Sequence, residues 1–579
     1  MRYGIIGNCK TAALVRENGG IEWCCLPKFD SPSVFAAILD PGAGCFEIGP
    51  VRKGTIRQSY IPKTAILQTE FDDGENTFVL TDFMPRYREG TAYTKPPEIH
   101  RILKPLRGKP EIRVIYKPRL NYSQGNTKIT CHPNVVTASN GLESIYLYSS
   151  LPLSEILAEK PIVLEKDQFL LLTYFEKFET PSSAYGNDMF EKTREYWEGW
   201  SNHCRLPSLF PEQVLRSALT LKLLTYDETG AIVAAATTSL PEILGESRNW
   251  DYRYCWLRDS SLILESLKSI GHFEEARGFI HFLLRLFESK QTKIQIVYSI
   301  EGKTDIGERI LPHLKGYKNS PPVRIGNNAC HTRQNDIFGE VLNTIYLYYC
   351  HYEFERLPEE VWSLVKFLVN TTAKEWATPD AGIWEFRHRR KHFTYSKILS
   401  WVAMDRGIKI AGKLGKEYAA HNWQAVADAV WKNIHDNGWM KKSGAYTQSY
   451  GSTMMDASLL LIPRYGFLEN ADPRWIATVH RCEEALVQNG FTFRYTNADD
   501  FGKPKNAFIV ASLWMAKALY TIGEKEKALR IFEKILSHAN HLGLLSESIN
   551  PDTGELLGNF PQAYSHMAVI NTATLLAKG

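Results

Sequence analysis

The sequence predicts a mainly α protein with an all-β N-terminal domain: an antiparallel β-sandwich followed by a closed ring of six helical hairpins. Three observations carry that reading. At 579 residues the chain exceeds one ordinary domain. Up to about residue 177 its apolar residues fall in short β-branched and aromatic stretches bounded by Gly, Pro, Asn and Asp. From residue 211 onward the apolar spacing changes to three or four, the period of helices.

In chain order, residues 65–70 and 77–83 flank the turn Asp72-Asp73-Gly74-Glu75-Asn76, as the arms of a hairpin do. Residues 111–116, 144–149 and 168–174 are further strands, rich in Ile, Val, Leu and Tyr. Strands of this kind bury one face each, and two packed antiparallel layers accomplish that. The segment Thr180-Pro181-Ser182-Ser183 breaks the pattern, and residues 188–200 read as a connecting helix. The expected division is therefore a sandwich over 1–180, a helical linker over 181–210 and a helical domain over 211–579. In the last of these, amphipathic segments begin near residues 211, 254, 273, 336, 358, 395, 419, 454, 472, 507, 524 and 564. Paired as consecutive hairpins, they close into a ring with an inner layer wrapped by an outer one, so that each apolar stripe meets a neighbour. An open superhelix would show a regular sequence repeat, and none is visible.

Composition narrows the function classes. Hydrophobic residues at 44% and charged residues at 23% are the balance of a soluble globular protein. A net charge of +4, evenly spread, argues against nucleic acid or a membrane surface as partner. The first residues lack the apolar core of a signal peptide, and no apolar run reaches the length of a transmembrane helix, so a cytoplasmic location is expected. Ten scattered cysteines, including the adjacent Cys24-Cys25, have neither metal-ligand nor redox spacing and read as free thiols. Nucleotide-binding, zinc-protease and serine-hydrolase motifs are absent, and His388, His392 and His566 form no ligand spacing; neither a cofactor nor a metal is expected. Association of copies is left open.

A ring places the loops that enter its inner helices around one mouth. Those loops, residues 250–259, 333–336, 382–386, 492–495 and 546–565, hold the unusual side chains. The densest stretch, residues 248–259, alternates charges with aromatic rings and runs straight into a helix. This is poor core material, because desolvating an unpaired charge is costly. It suits a sugar, whose apolar face covers a ring while Asp and Arg satisfy its hydroxyls; a salt-bridged helix start is the plainer alternative.

Two acids could do chemistry. Glu385 stands beside Trp384; a carboxyl against an aromatic face loses hydration and holds its proton, the condition of a general acid. Glu547 lies between Ser546 and Ser548, whose hydroxyls could keep it ionised as a general base. A surface Glu next to a packing Trp, and an ordinary turn acid, are the alternatives. Asp259 follows Arg258 at a helix start, where an ion pair or a cap competes with a grip on hydroxyls, and Asp336 could equally cap the helix it opens.

At these residues the chain resembles the family 15 glycoside hydrolases, the glucoamylase family with its trehalase and glucodextranase relatives, over nearly its whole length. Gly7-Asn-Cys-Lys-Thr-Ala-Ala-Leu14, Trp23 and Phe29-Asp-Ser-Pro-Ser-Val-Phe35 resemble the opening of its bacterial and archaeal two-domain members. Ala234-Ala-Ala-Thr-Thr-Ser-Leu-Pro-Glu242, residues 248–259, 334–340 and 382–385, Ser400-Trp-Val-Ala-Met-Asp-Arg406 and Gly558-Asn-Phe-Pro-Gln-Ala-Tyr-Ser-His566 follow its motifs in order. The resemblance implies a β-sandwich followed by a catalytic (α/α)6 toroid that releases glucose from non-reducing ends with inversion. It places Glu385 on the general acid and Glu547 on the general base. It places Tyr252, Trp256, Arg258 and Asp259 on residues that hold the terminal glucose, and Trp384, Arg494 and Ser565 on other site positions. Gln334 and Asp336, inside a matching motif, join the substrate-binding candidates. Phe386 replaces a second acid of fungal members, Cys330 stands about where they carry a tryptophan, and Pro504-Lys-Asn-Ala-Phe508 lacks an acid frequent in relatives; these departures bear on specificity.

The expected activity is an inverting exo-acting α-glucosidase on α-glucans or gluco-oligosaccharides, with the carboxyls roughly 6.5–9.5 Å apart to admit a water. An α,α-trehalase using the same acid and base is the alternative. A sugar phosphorylase, which would need an anion pocket in place of Glu547, and an idle sugar-binding module stand further off. The linkage is not fixed by one sequence, because pocket discrimination rests on a few contacts.

Overall fold

The computed structural model describes residues 1–178, 181–288, 294–351 and 356–578. Thr180, on which the expected sandwich boundary falls, lies outside them.

The N-terminal region is two facing antiparallel sheets. One runs, edge to edge, Tyr3–Gly7, Ala12–Arg16, Gly20–Cys25, Cys45–Pro50, Glu111–Lys117 and Ile162–Val163, with Ser33–Phe35 added against the third strand. The other runs Lys128–His132, Val135–Ser139, Ser144–Ser149, Gln168–Tyr174, Glu98–Arg107, Thr77–Phe83, Leu67–Asp72 and Thr55–Tyr60. The hairpin expected around Gly74 is present, Asp72 pairing with Thr77. Leu67–Asp72 alternates buried and half-buried positions, the period-2 signature of a strand with one face on the core. The strands before residue 36 are buried on both faces, because the helical ring covers the first sheet. Without alternation they escaped assignment as individual strands. Arg101 crosses between the sheets, ion-paired to Asp82 at 2.8 Å and donating to the Phe46 carbonyl at 2.6 Å. Cys24 and Cys25 are buried free thiols.

The connecting helix is Ser183–Asn202, five residues longer at its start than the apolar period indicates. Ser182 accepts a hydrogen bond from the Tyr185 N–H, and this cap lets the helix begin early.

Among the described residues twelve helical segments build the ring, and each begins within three residues of its expected start. Six form the inner layer: Leu257–Ser269, Asp336–Tyr346, Thr394–Lys413, the 3-10 segment Ala457–Tyr465, Ile509–Thr521 and Ala563–Leu576. Each packs on the next and the last returns to the first, so the ring is closed. Pro211–Leu223, Glu274–Glu288, Glu359–Glu375, Glu417–Asn437, Pro473–Leu486 and Lys525–Ser537 wrap it. The architecture is the expected (α/α)6 toroid behind a β-sandwich. Inner helices such as Ile509–Thr521 are apolar all round, as elements enclosed on every side must be. None of the described helices is long and apolar enough to cross a membrane.

The sandwich also supports the mouth of the ring. Trp23 Nε1 donates to the Ala236 carbonyl at 2.7 Å. Arg253, buried in the segment 248–259, forks onto Asp251 at 2.9 and 2.7 Å and reaches across to the Ser31 carbonyl at 2.8 Å. Its guanidinium also lies near the rings of Trp23 and Tyr122. A buried cation is tolerated only when paired and hydrogen-bonded in this way, so the turn that carries Tyr252 and Trp256 is fixed from behind.

Candidate active site

One cavity opens at the end of the ring where the inner helices begin. It encloses about 820 Å³ of space not filled by protein atoms, open solvent at its mouth included. Glu385 and Glu547, 162 positions apart in the chain, both line it, as do Tyr252, Trp256, Arg258, Asp259, Trp384 and Arg494. Each enters from a short strand, a turn or the first turn of an inner helix. Cys255–Trp256 pairs with Val297–Tyr298 and leads directly into Leu257–Ser269, which puts Arg258 and Asp259 in its first turn. Burial pushes the Asp259 carboxyl above its ordinary range, opposed by the Arg258 guanidinium that pairs with it at 3.1 Å.

Two aromatic side chains separate the two acids. Tyr252 donates its hydroxyl to Glu547 Oε1 at 2.5 Å, and its ring meets that of Trp256 edge-on at 5.5 Å. Trp256 Nε1 in turn donates to Glu385 Oε1 at 2.8 Å. The aromatic companion of Glu385 is thus Trp256 rather than its sequence neighbour Trp384. The Trp384 indole N–H is taken by Asp456 at 2.9 and 3.0 Å, which turns the ring toward Phe508. Glu385 sits at the tip of a tight turn with φ +60°, a left-handed conformation that an L side chain adopts at a cost of about 1–2 kcal/mol. Strain of this kind collects at functional sites, where it fixes a side chain's direction.

Both carboxyls are pushed above the ordinary carboxylic range, chiefly by burial. For Glu385 the nearby Arg258 guanidinium and the Trp256 N–H oppose the rise. Glu547 is pushed up to about 8 by burial and then by the carboxylate of Glu242, against the Tyr252 hydroxyl and Arg494. Ser546 and Ser548 do not keep Glu547 ionised. The Ser546 hydroxyl donates to the Ser548 carbonyl at 2.9 Å, closing the local turn instead.

Three expected substrate-binding residues do not line the cavity. Gln334 and Asp336 stand one layer behind it: Arg258 donates to Gln334 Oε1 at 3.1 Å and approaches Asp336 at 3.7 Å. Asp336 is the first residue of its helix, caps nothing with its side chain, and is buried. Ser565 Oγ donates to the Ser546 carbonyl at 2.8 Å and so holds the Glu547 loop. All three reach the cavity only through another residue. Cys330 is buried in a 3-10 turn outside it, whereas Phe386 lines it, stacked on Phe393 and tilted against Tyr495.

Other lining residues escaped the sequence reading. Glu242 lies at the enclosed end, salt-bridged to Arg494 at 2.6 Å. At the part-exposed mouth the Arg387 guanidinium lies over Trp250 at 4.3 Å and near Phe501 at 5.6 Å, while Trp250 and Phe501 meet edge-on at 5.2 Å. Asp499 and Asp500 fasten this rim, the first through Arg248 at 2.6 Å and the second through the Arg387 N–H at 2.6 Å. Glu242 closes a motif that already stood out; Arg387 and residues 499–501 carry no pattern beyond a charged, turn-rich stretch. Among the described residues no group of three or more His, Cys, Asp or Glu side chains is arranged to hold a metal ion.

This arrangement can hold a polyol between aromatic faces and charged side chains, with one carboxyl near the mouth and another at the floor. Comparison with known proteins agrees with that chemistry. Residues 210–574 match the model of the glycosyl hydrolases family 15, and residues 1–157 match a trehalase-like N-terminal domain. A trehalase of Thermoplasma volcanium is 34% identical over 99% of this chain and 93% of its own length. A trehalase of Mycolicibacterium smegmatis is 35% identical over 98% of this chain and 90% of its own. Among solved structures, a bacterial glucoamylase complexed with acarbose superposes with a TM-score of 0.73 at 14% identity, covering all of this chain and 94% of that one, a likeness of fold. The chain therefore belongs to family 15 of the glycoside hydrolases and is a glycosidase of that family.

Proposed function

We propose that the protein is an inverting α,α-trehalase. The observation that carries this reading is the full-length similarity, at 34–35% identity, to proteins named trehalase from archaeal and mycobacterial sources. It displaces the expectation of an exo-acting glucan hydrolase, for which the one support here is the glucoamylase fold. At the mouth Trp250, Arg387 and Phe501 meet from three separate loops.

In this reading Trp256, Arg258, Asp259 and Arg494 hold the glucose at the enclosed end, and Trp384 borders the bond to be cleaved. Glu385 gives its proton to the glycosidic oxygen as that bond breaks. Glu547 takes a proton from a water whose oxygen bonds to the anomeric carbon from the opposite face. Gln334, Asp336 and Ser565 position these groups and do not touch the sugar.

The test is a panel of trehalose, maltose, maltotriose, isomaltose and starch, with and without phosphate. Trehalose should be cleaved fastest, without need of phosphate as co-substrate. Inversion at one of two α-linked carbons predicts that early proton NMR shows α- and β-glucose in equal amounts. Only α-glucose would mean retention, faster cleavage of maltotriose would restore the glucan reading, and glucose 1-phosphate as a product would mean phosphorolysis.

A further inference from the structure

The enclosed end of the cavity also holds the carboxylate of Glu242, for which acid and base catalysis have no use. Three loops fix it. Its N–H donates to the Arg248 carbonyl at 3.1 Å, its carbonyl accepts from Asn506 Nδ2, and its carboxylate grips Arg494 at 2.6 and 3.4 Å. Gly558 joins this loop to the base. Its N–H donates to the Pro241 carbonyl at 2.8 Å, and it packs so closely on Glu547 that an added Cβ would stand 2.7 Å from Oε2.

We propose that Glu242 is a positioning residue for the catalytic base: by holding Arg494, it keeps that guanidinium from pairing with Glu547. The inference rests on Glu547 being the base. A carboxylate neutralised by a guanidinium is a poor acceptor for a proton from water, whereas one facing a second carboxylate is a good one. The charged and titratable groups around Glu547 are Glu242, Arg494, Asp259 and the Tyr252 hydroxyl, with Arg258 and Tyr564 in the same end of the cavity. Of these, Glu242 contributes most to raising its proton affinity after burial itself.

The experiment is the pH dependence of kcat and KM on trehalose for Glu242→Gln, Glu242→Asp, Arg494→Gln and Glu547→Gln. Turnover requires ionised Glu547, so it rises with pH through that group's pKa. Glu242→Gln removes the opposing charge and frees Arg494, so its acidic limb should move to lower pH by about one unit, with kcat at the plateau down about tenfold. Glu242→Asp should keep the limb near its original place. Arg494→Gln should move it to higher pH, and this second variant carries the test if Glu242→Gln does not fold. A kcat lowered equally at every pH, with the limb unmoved in Glu242→Gln or in Arg494→Gln, overturns the proposal. Persistent activity of Glu547→Gln would instead overturn the assignment of the base.

Discussion

The two loops that carry the acids differ in almost every physical respect. Glu385 stands on strained left-handed backbone, its side chain 25% exposed, held by one indole N–H and approached by Arg258. Glu547 has no left-handed backbone and directly precedes the central strand of a small three-stranded sheet, its carbonyl accepting from the Ile509 N–H, and it is 2% exposed. Arg258 is the charged group that acts most on the first carboxyl, whereas the carboxylate of Glu242 acts most on the second. The difference teaches which way the chemistry faces. In the proposed mechanism an acid beside the exit is re-protonated from solvent after each turnover, whereas a base enclosed at the floor works apart from bulk water.

The strongest way to break that contrast is to neutralise each acid. Glu385→Gln and Glu547→Gln should each lower kcat on trehalose by at least about a hundredfold, the scale of general acid–base catalysis; near-normal turnover in either variant would end its assignment. Next comes the close contact that shapes the floor. Gly558→Ala combines φ +80° with a Cβ 2.7 Å from Glu547 Oε2, so it should displace the base and reduce kcat by roughly tenfold or more while costing about 1–3 kcal/mol of stability. Gly74→Ala, with φ +93° but open space around it, should cost about 1 kcal/mol and leave kcat unchanged. Equal kinetic effects from the two would remove the special role of Gly558, and thermal unfolding with steady-state kinetics separates them. The smallest effect should come from Tyr252→Phe. Loss of its hydroxyl removes a hydrogen bond that favours ionised Glu547, so the acidic limb should move to higher pH, opposite to Glu242→Gln. A shift to lower pH would reverse the reading of the Tyr252 contact.

Much of this was legible in the sequence, and the gaps have physical causes. Outer helices announce themselves through their amphipathic period, while inner ones such as Ile509–Thr521 are apolar all round rather than amphipathic and show as long apolar stretches, so every segment of the ring was found near its start. Strands such as Tyr3–Gly7, covered on one side by their partner sheet and on the other by helices, lose the alternation that marks a strand. At the site, residues 248–259, Glu385 and Glu547 stood out because charges and aromatic rings crowd there. Gln334, Asp336 and Ser565 looked the same on paper, but residue type does not reveal whether a polar side chain meets the cavity or braces a neighbour that does. Arg387 and Phe501 went unnoticed for the opposite reason: their rim exists only where three distant loops meet.

The reach of Arg253 into the sandwich has a consequence for how this enzyme can be cut or grafted. A toroid expressed alone would lose the Ser31 carbonyl and the Trp23 and Tyr122 rings from around a guanidinium buried directly behind Tyr252 and Trp256. Water would flood that gap and the turn would slacken, so sandwich residues as far along the chain as Tyr122 brace the loop that lines the cavity.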